Sequence, residues 1–408
     1  MKTKPQIEDN YPPTILKNLI ALTLLFLPFS IQLSNLAIIL TSLYWLISGK
    51  FNSKFEILLI RKTAIILFTG IFFIYSISSI YSSDMARVLR VLERNLPILA
   101  MPIIIGSYYW KNKMLFYVLK VFLLSCFLVS LYAIIKTIYY FNIHPESYYL
   151  EFALWKMPQL VHFHAPYFAL YMVIANICAF TMLSSEKGKE SYNWILWIFL
   201  AFSNLFLFLL SSRTALFANW GLISIVIVKY YYSKKKYWQI LLSFFVIGII
   251  FIMAYYNIPF LNTKISYILK EGYGTFFRIQ VAEIIINLFK ESPIIGFGIG
   301  DAFEVLQQAY IERGLQKYVG FNTHNQYLYY LLSTGIIGTI FFLSILSYSF
   351  KLALKQNKRT YLAILFVFCI CFLTEEILSR QKGIVLFAIF NSLFAFSEKN
   401  QFWGDYSS

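Results

Sequence analysis

The sequence predicts an all-α, polytopic integral membrane protein with about twelve transmembrane helices and one long extracytoplasmic loop. Of its 408 residues, 59% are hydrophobic and only 13% are charged, whereas soluble domains carry about 25% charged residues. A soluble globular fold and a disordered chain are both excluded. Apolar stretches recur from end to end, each close to the ~20 residues that cross about 30 Å of hydrocarbon. Ile65 to Ile80 and Ile240 to Ala254 are apolar on every face, which excludes β-barrel strands of about ten residues with alternating polarity.

The predicted spans lie near residues 15–33, 35–49, 63–82, 95–110, 114–141, 166–184, 192–210, 214–232, 237–256, 325–350, 360–378 and 382–397. The polar tail Met1 to Asn18, with Pro12 and Pro13, leads into the first span, and a second apolar run follows at once. No cleavable signal peptide is expected. Lys50 to Lys62 divides the second span from the third, and Arg87, Arg90 and Arg94 precede the fourth. Lys111 and Lys113 open the fifth span, which holds Lys120 and Lys136. A polar loop, 142–165, precedes the sixth, and Lys187 and Lys189 follow it. Only Ser211-Ser212-Arg213 divides the seventh from the eighth, and Lys234-Lys235-Lys236 divides the eighth from the ninth. After the polar stretch Asn257 to Thr323 comes the tenth span, then Lys358-Arg359, the eleventh, Arg380-Gln381 and the twelfth.

One set of alternate loops carries twenty lysines and arginines, and the short loops of the other set carry seven. By the positive-inside rule both termini are cytoplasmic and the loop 257–323 is outside. Residues 1–408 read as a single membrane domain. The net charge of +16 follows from these blocks rather than from nucleic-acid binding. Cys126, Cys178, Cys369 and Cys371 all sit inside apolar runs and read as core residues, neither a disulfide framework nor a metal site. Within the long loop, Phe277, Val281, Ile284, Ile285 and Leu288 form the stripe of an amphipathic helix suited to a membrane surface, with Arg278 at its start.

Single arginines and histidines mark the outer borders. Arg213 lies between two apolar spans, where an unpartnered cation costs at least a few kcal/mol. It is either a snorkelling interfacial arginine or the bidentate partner of a phosphate or pyrophosphate. His324, at the mouth of the tenth span, either takes a proton from an incoming hydroxyl or bonds to its own helix N-terminus. His162 and His164 with Glu146 and Glu151 lack a recognisable ligand spacing, so no metal is expected. Tyr167 reads on its own as an aromatic-belt residue. Glu376 and Arg380 are four apart and either pair with each other or, with Glu375, orient a substrate. Arg87, Arg90 and Arg94 place three cations on one helical face and suit an anionic ligand or lipid headgroups. Gly296-Phe297-Gly298-Ile299-Gly300-Asp301 follows no strand and is no dinucleotide fingerprint; it is expected to be a tight turn whose amides approach a substrate.

In this order, Ser211-Ser212-Arg213-Thr214-Ala215, Arg278 with Ser292 to Gly300, and Thr323-His324-Asn325-Gln326-Tyr327-Leu328 followed by Gly335-Ile336-Ile337-Gly338 resemble segments of the O-antigen ligase and polymerase family. These are membrane glycosyltransferases that handle undecaprenyl-pyrophosphate-linked glycans on the outer face of the bacterial inner membrane. His164-Ala165-Pro166-Tyr167 and Glu375 to Gly383 are similar to further family segments. The resemblance covers roughly residues 205–350, and the first five spans match only in hydropathy. It implies a GT-C-like fold and a metal-independent, inverting transfer with no cofactor and an active site facing the periplasm. It implies Arg213 and Arg278 as the pyrophosphate clamp and His324 as general base or acceptor-orienting group. His164, Tyr167, Arg87, Arg90, Glu375 and Arg380 would then contact substrate. The implied partners are a lipid-linked glycan donor, a lipid A-core or glycan acceptor and membrane lipids.

Ligase and polymerase differ only in acceptor, and the spacing from Arg213 to His324 resembles the ligases slightly better. A protein-glycosylating relative is a third reading. The rival from another class is a non-enzymatic polysaccharide flippase or transporter, for which mid-membrane charges and broken helices are expected.

Overall fold

The computed structural model describes residues 10–144, 156–184, 193–210, 212–257 and 273–398. Glu146, Glu151, Lys187, Lys189, Ser211, the terminal lysines Lys2, Lys4 and Lys399, and positions 258–272 of the long loop lie outside them. The helices are α1 (Thr14–Phe26), α2 (Ile31–Ile47), α3 (Phe51–Ile60), α4 (Lys62–Ser78), α5 (Met85–Gly106), α6 (Asn112–Ile143), α7 (Ala165–Leu183) and α8 (Asn193–Leu210). They continue as α9 (Arg213–Ser233), α10 (Tyr237–Asn257), α11 (Tyr273–Glu291), α12 (Ala302–Glu312), α13 (Gln326–Lys355), α14 (Arg359–Phe372) and α15 (Gln381–Phe396). No strand occurs among the described residues.

A helix lies at each of the twelve predicted stretches. Among the described residues six helices, α4 with its following turn, α6, α7, α8, α9 and α13, are long and apolar enough to cross a membrane. Helices α2 and α3 meet that measure only together, and they are bent by 109°. Gly49 and Lys50 between them have φ of 65° and 55°, and two successive left-handed residues end one helix and redirect the chain.

The described residues within 1–128 and 280–401 form one compact unit, and those within 129–279 a second. In the first unit α15 packs on α5, α13 and α14, and α4 packs on α5 and α13. Every residue of α15 from Lys382 to Phe396 is buried. The helix read as the twelfth span is therefore central to the unit, and its uniform apolarity reflects protein on all sides. In the second unit α7 packs on α8 and α9.

Three of the cations counted as topology signals have a local task. Lys54 Nζ donates to the Trp45 carbonyl and to Ser48 Oγ. Arg61 Nη1 donates at 2.8 Å to the carbonyls of Gly106 and of Tyr108. Lys358 Nζ donates to the carbonyls of Phe394, Ala395 and Ser397 at 2.8, 3.0 and 2.7 Å. Each closes the C-terminal end of a helix, α2, α5 and α15 respectively, where carbonyls lack intrahelical partners and the dipole favours a cation.

Helix α13 is broken. Gly335 has φ 61° and ψ −159°, and the segment after α11 fills the gap. The amides of Phe297 and Gly298 donate to the carbonyls of Leu332 and Ser333 at 2.9 Å, and the amides of Ile336 and Ile337 donate to those of Pro293 and Ile294 at 2.9 and 3.3 Å. All four bonds join chain segments about 40 residues apart, and they satisfy groups that an interrupted helix would otherwise strand. A Cβ at Gly335 would lie 2.4 Å from the Ile294 carbonyl oxygen, and one at Gly296 would lie 2.6 Å from the Gly335 nitrogen, so only glycine fits at both.

Candidate functional site

In the first unit the turn ahead of α13 holds His324. Its residues, Asn322 to Asn325, are types that bond their own backbone. Asn322 Oδ1 accepts the His324 amide at 3.2 Å, and Thr323 Oγ1 donates to the Asn325 carbonyl at 2.8 Å. The amides of Tyr327 and Leu328 donate to Asn325 Oδ1, which caps α13. The helix N-terminus is thus occupied by Asn325, and His324 is left to another partner. Its Nδ1 lies 3.4 Å from Glu375 Oε2. His324 adopts φ 47°, a left-handed conformation that costs a β-carbon residue about 1–3 kcal/mol.

That conformation is held by the segment between α14 and α15. The Thr323 amide donates to Glu376 Oε1 at 2.6 Å, Asn325 Nδ2 donates to the Leu373 carbonyl at 3.1 Å, and the Leu378 amide donates to Gln326 Oε1 at 2.7 Å. Glu376 is buried and its Oε2 accepts from Ser379 Oγ at 2.8 Å. Residues 377–379 form a 3₁₀ turn, so Glu376 and Arg380 do not stand one α-helical turn apart as their spacing had implied. Arg380 precedes α15 in an extended conformation.

Helix α5 begins at Met85, so Arg87, Arg90 and Arg94 lie on its first turns. They line a cavity of about 270 Å³ together with Phe303, Tyr329 and Glu376. Arg87 stacks on the Phe303 ring at 4.4 Å and its Nε lies 3.7 Å from Asp84 Oδ2. Arg94 Nη1 donates to the Ser379 carbonyl at 2.6 Å.

The glycine turn does not offer amides to a ligand. The amides of Ile299 and Gly300 donate to Ser78 Oγ and Ser82 Oγ at 3.0 and 3.2 Å, and those of Phe297 and Gly298 close the break in α13. Asp301 in turn accepts the amides of Ser83 and Asp84 at 2.7 and 2.9 Å. The turn is a fastener inside the first unit. The amphipathic stripe on α11 is likewise enclosed: Val281, Ile284 and Ile285 are fully buried in the protein, where the spacing alone had pointed to a membrane surface.

In the second unit Arg213 is the first residue of α9 and is exposed. Arg278, on α11, is also exposed and its charge acts on Arg213. Two cations in electrostatic reach of one another repel, and an anion between them relieves that repulsion. Residues 176, 203, 204 and 219 fasten α9 to its neighbours: Asn176 Nδ2 donates to Asn219 Oδ1 at 3.1 Å, Asn219 Nδ2 to Asn204 Oδ1 at 2.8 Å, and Ser203 Oγ to Asn176 Oδ1. His164 stands exposed just before α7, its ring edge-on to Tyr167 at 5.9 Å. Tyr167 is buried rather than part of an aromatic belt. Among the described residues no three His, Cys, Asp or Glu side chains gather as a metal cluster requires.

Residues 196–343 match the O-antigen ligase family. No curated protein matches the chain. The O-antigen ligase stretch runs from α8 into α13 and contains Arg213, Arg278 and His324. It indicates an O-antigen ligase-like function, or that of a related polymerase, in a multi-pass inner membrane protein. Arg87, Arg90, His164, Tyr167, Glu375 and Arg380 fall outside the O-antigen ligase stretch. Arg94 and Tyr329 join Arg87 and Arg90 at the cavity although only the arginine spacing was visible beforehand; nothing in the sequence near Tyr329 pairs it with α5.

Proposed function

We propose that this protein is an O-antigen ligase: a GT-C-like, twelve-span glycosyltransferase that moves a glycan from undecaprenyl pyrophosphate to a lipid A-core sugar at the periplasmic face. The observation that carries the reading is the O-antigen ligase match over 196–343 together with the pairing of His324, inside it, with Glu375. In this reading Arg213 and Arg278 hold the pyrophosphate and stabilise the charge that develops on it as the glycosidic bond breaks. His324 takes the proton of the attacking hydroxyl, and Glu375 stabilises the imidazolium that results. The anomeric centre inverts in this single displacement. His164, Tyr167, Arg87, Arg90 and Arg380 contribute to substrate binding. The arginines carry the role that a divalent metal has in other transferases, so transfer persists in EDTA.

The broken helix α13, a feature expected of a transporter, is closed by the protein's own carbonyls and amides, which supports the enzyme over a transport route. The test is deletion of the gene followed by gel analysis of lipopolysaccharide. Loss of all long chains on the core, with polymer retained on the carrier lipid, supports the ligase. Addition of single repeats supports a polymerase instead, and loss of all glycan from the core with the carrier-linked glycan trapped on the cytoplasmic leaflet supports a flippase.

A further inference from the structure

We propose that the cavity on α5 is a second phosphoryl-binding site, anchored by Arg90 and flanked by Arg87 and Arg94. The three guanidinium groups lie on one helical face, and all three line the same cavity of about 270 Å³. They are not equally engaged. Arg87 is turned to Asp84 and Phe303, and Arg94 to the Ser379 carbonyl. Arg90 is exposed at the cavity and has no protein partner among the described residues. Its five donors are therefore available in a fork that suits two oxygens of one phosphoryl group.

The charge balance of the wall points the same way. Against three arginines the cavity presents one carboxylate, Glu376, and its two oxygens are already occupied by Thr323 and Ser379. Cations this close repel one another, and a bound anion turns that repulsion into attraction. A phosphoryl group carries more charge and more acceptor oxygens than a carboxylate, so it can meet Arg90 bidentately and still offer an oxygen to a flanking arginine. The rings of Phe303 and Tyr329 in the same wall suit the ester substituent. Two carriers share this chemistry, a phosphorylated glycan and the headgroup of a membrane phospholipid. Arg213 and Arg278 do not line the cavity, so the inference stands apart from the donor assignment made above.

The experiment uses the full chain in phosphatidylcholine nanodiscs, with inorganic phosphate and glycerol phosphate as probes and titration calorimetry as the readout. Arg90→Gln should weaken both probes at least about tenfold, while Arg313→Gln, which removes an exposed cation that does not line the cavity, leaves this binding within about twofold. Equal affinity in Arg90→Gln, or an equal loss in Arg313→Gln, overturns the proposal. Replacing the nanodisc lipid by phosphatidylglycerol identifies the carrier: weaker phosphate binding in the wild type, absent in Arg90→Gln, assigns a headgroup, and unchanged binding assigns a phosphorylated glycan. If Arg90→Gln gives no folded protein by thermal melting, Arg90→Lys serves in its place, with a loss of about threefold expected because the fork is gone and the charge kept. Wild-type affinity in Arg90→Lys then refutes the anchoring role. A lost transfer activity in Arg213→Ala that keeps the part of phosphate binding removed by Arg90→Gln separates this site from the donor reading.

Discussion

His324 Nδ1 lies 3.4 Å from Glu375 Oε2, across a junction that joins the start of α13 to the end of α14. A carboxylate at this distance faces the imidazole nitrogen and restricts the orientation of the ring. His324→Ala should lower transfer by about 10² to 10⁴ with donor binding largely retained. Glu375→Gln should give a smaller loss in kcat. The assay is transfer from a lipid-linked donor in liposomes, and an active His324→Ala would move the base elsewhere.

Arg213→Ala is expected to abolish transfer while the protein still reaches the membrane. Arg213→Lys should recover little, because an ammonium cannot reproduce two parallel bonds to a pyrophosphate. Immunoblotting of membranes together with the transfer assay reads both outcomes, and full activity in the lysine variant would reduce Arg213 to a snorkelling residue.

Gly335→Ala and Gly296→Ala should each destabilise the protein by about 3 kcal/mol or more, since each forces a side chain onto a positive φ and against backbone. Gly221, which has open space around it, is the control: Gly221→Ala should leave the melting temperature unchanged or raised. Differential scanning fluorimetry in detergent measures all three.

Gln316, exposed in the loop between α12 and α13, tests the orientation. Gln316→Cys should react in whole cells with a thiol reagent that crosses only the outer membrane. Reaction only after the inner membrane is lysed would invert the topology.

The positions of the helices were legible because most of the apolar runs end at charged or polar residues, and His324 was legible as a residue at the mouth of a helix. The partners of those residues were not. Thr323 meets Glu376 across 53 positions and Tyr81 meets the Ile295 carbonyl across 214, and no periodicity encodes such separations. The glycine turn was misjudged for the same reason: glycines that free amides for a ligand and glycines that let two backbones touch look alike until the second backbone is seen. Lys54, Arg61 and Lys358 show the converse, since a charge near a membrane border reads as topology whether it faces water or closes a helix.

The four backbone bonds that bridge the break in α13 tie the last part of an outwardly long loop into the helical core. None of them can be lost by fraying from a helix end, because each joins segments distant in the chain. Amide protons of Phe297, Gly298, Ile336 and Ile337 should therefore exchange with solvent in one concerted opening, at a free energy near that of the whole unit. Although it is a loop by sequence, the stretch from Ser292 to Asp301 belongs to the same cooperative element as the span it locks, and it unfolds only when that span does.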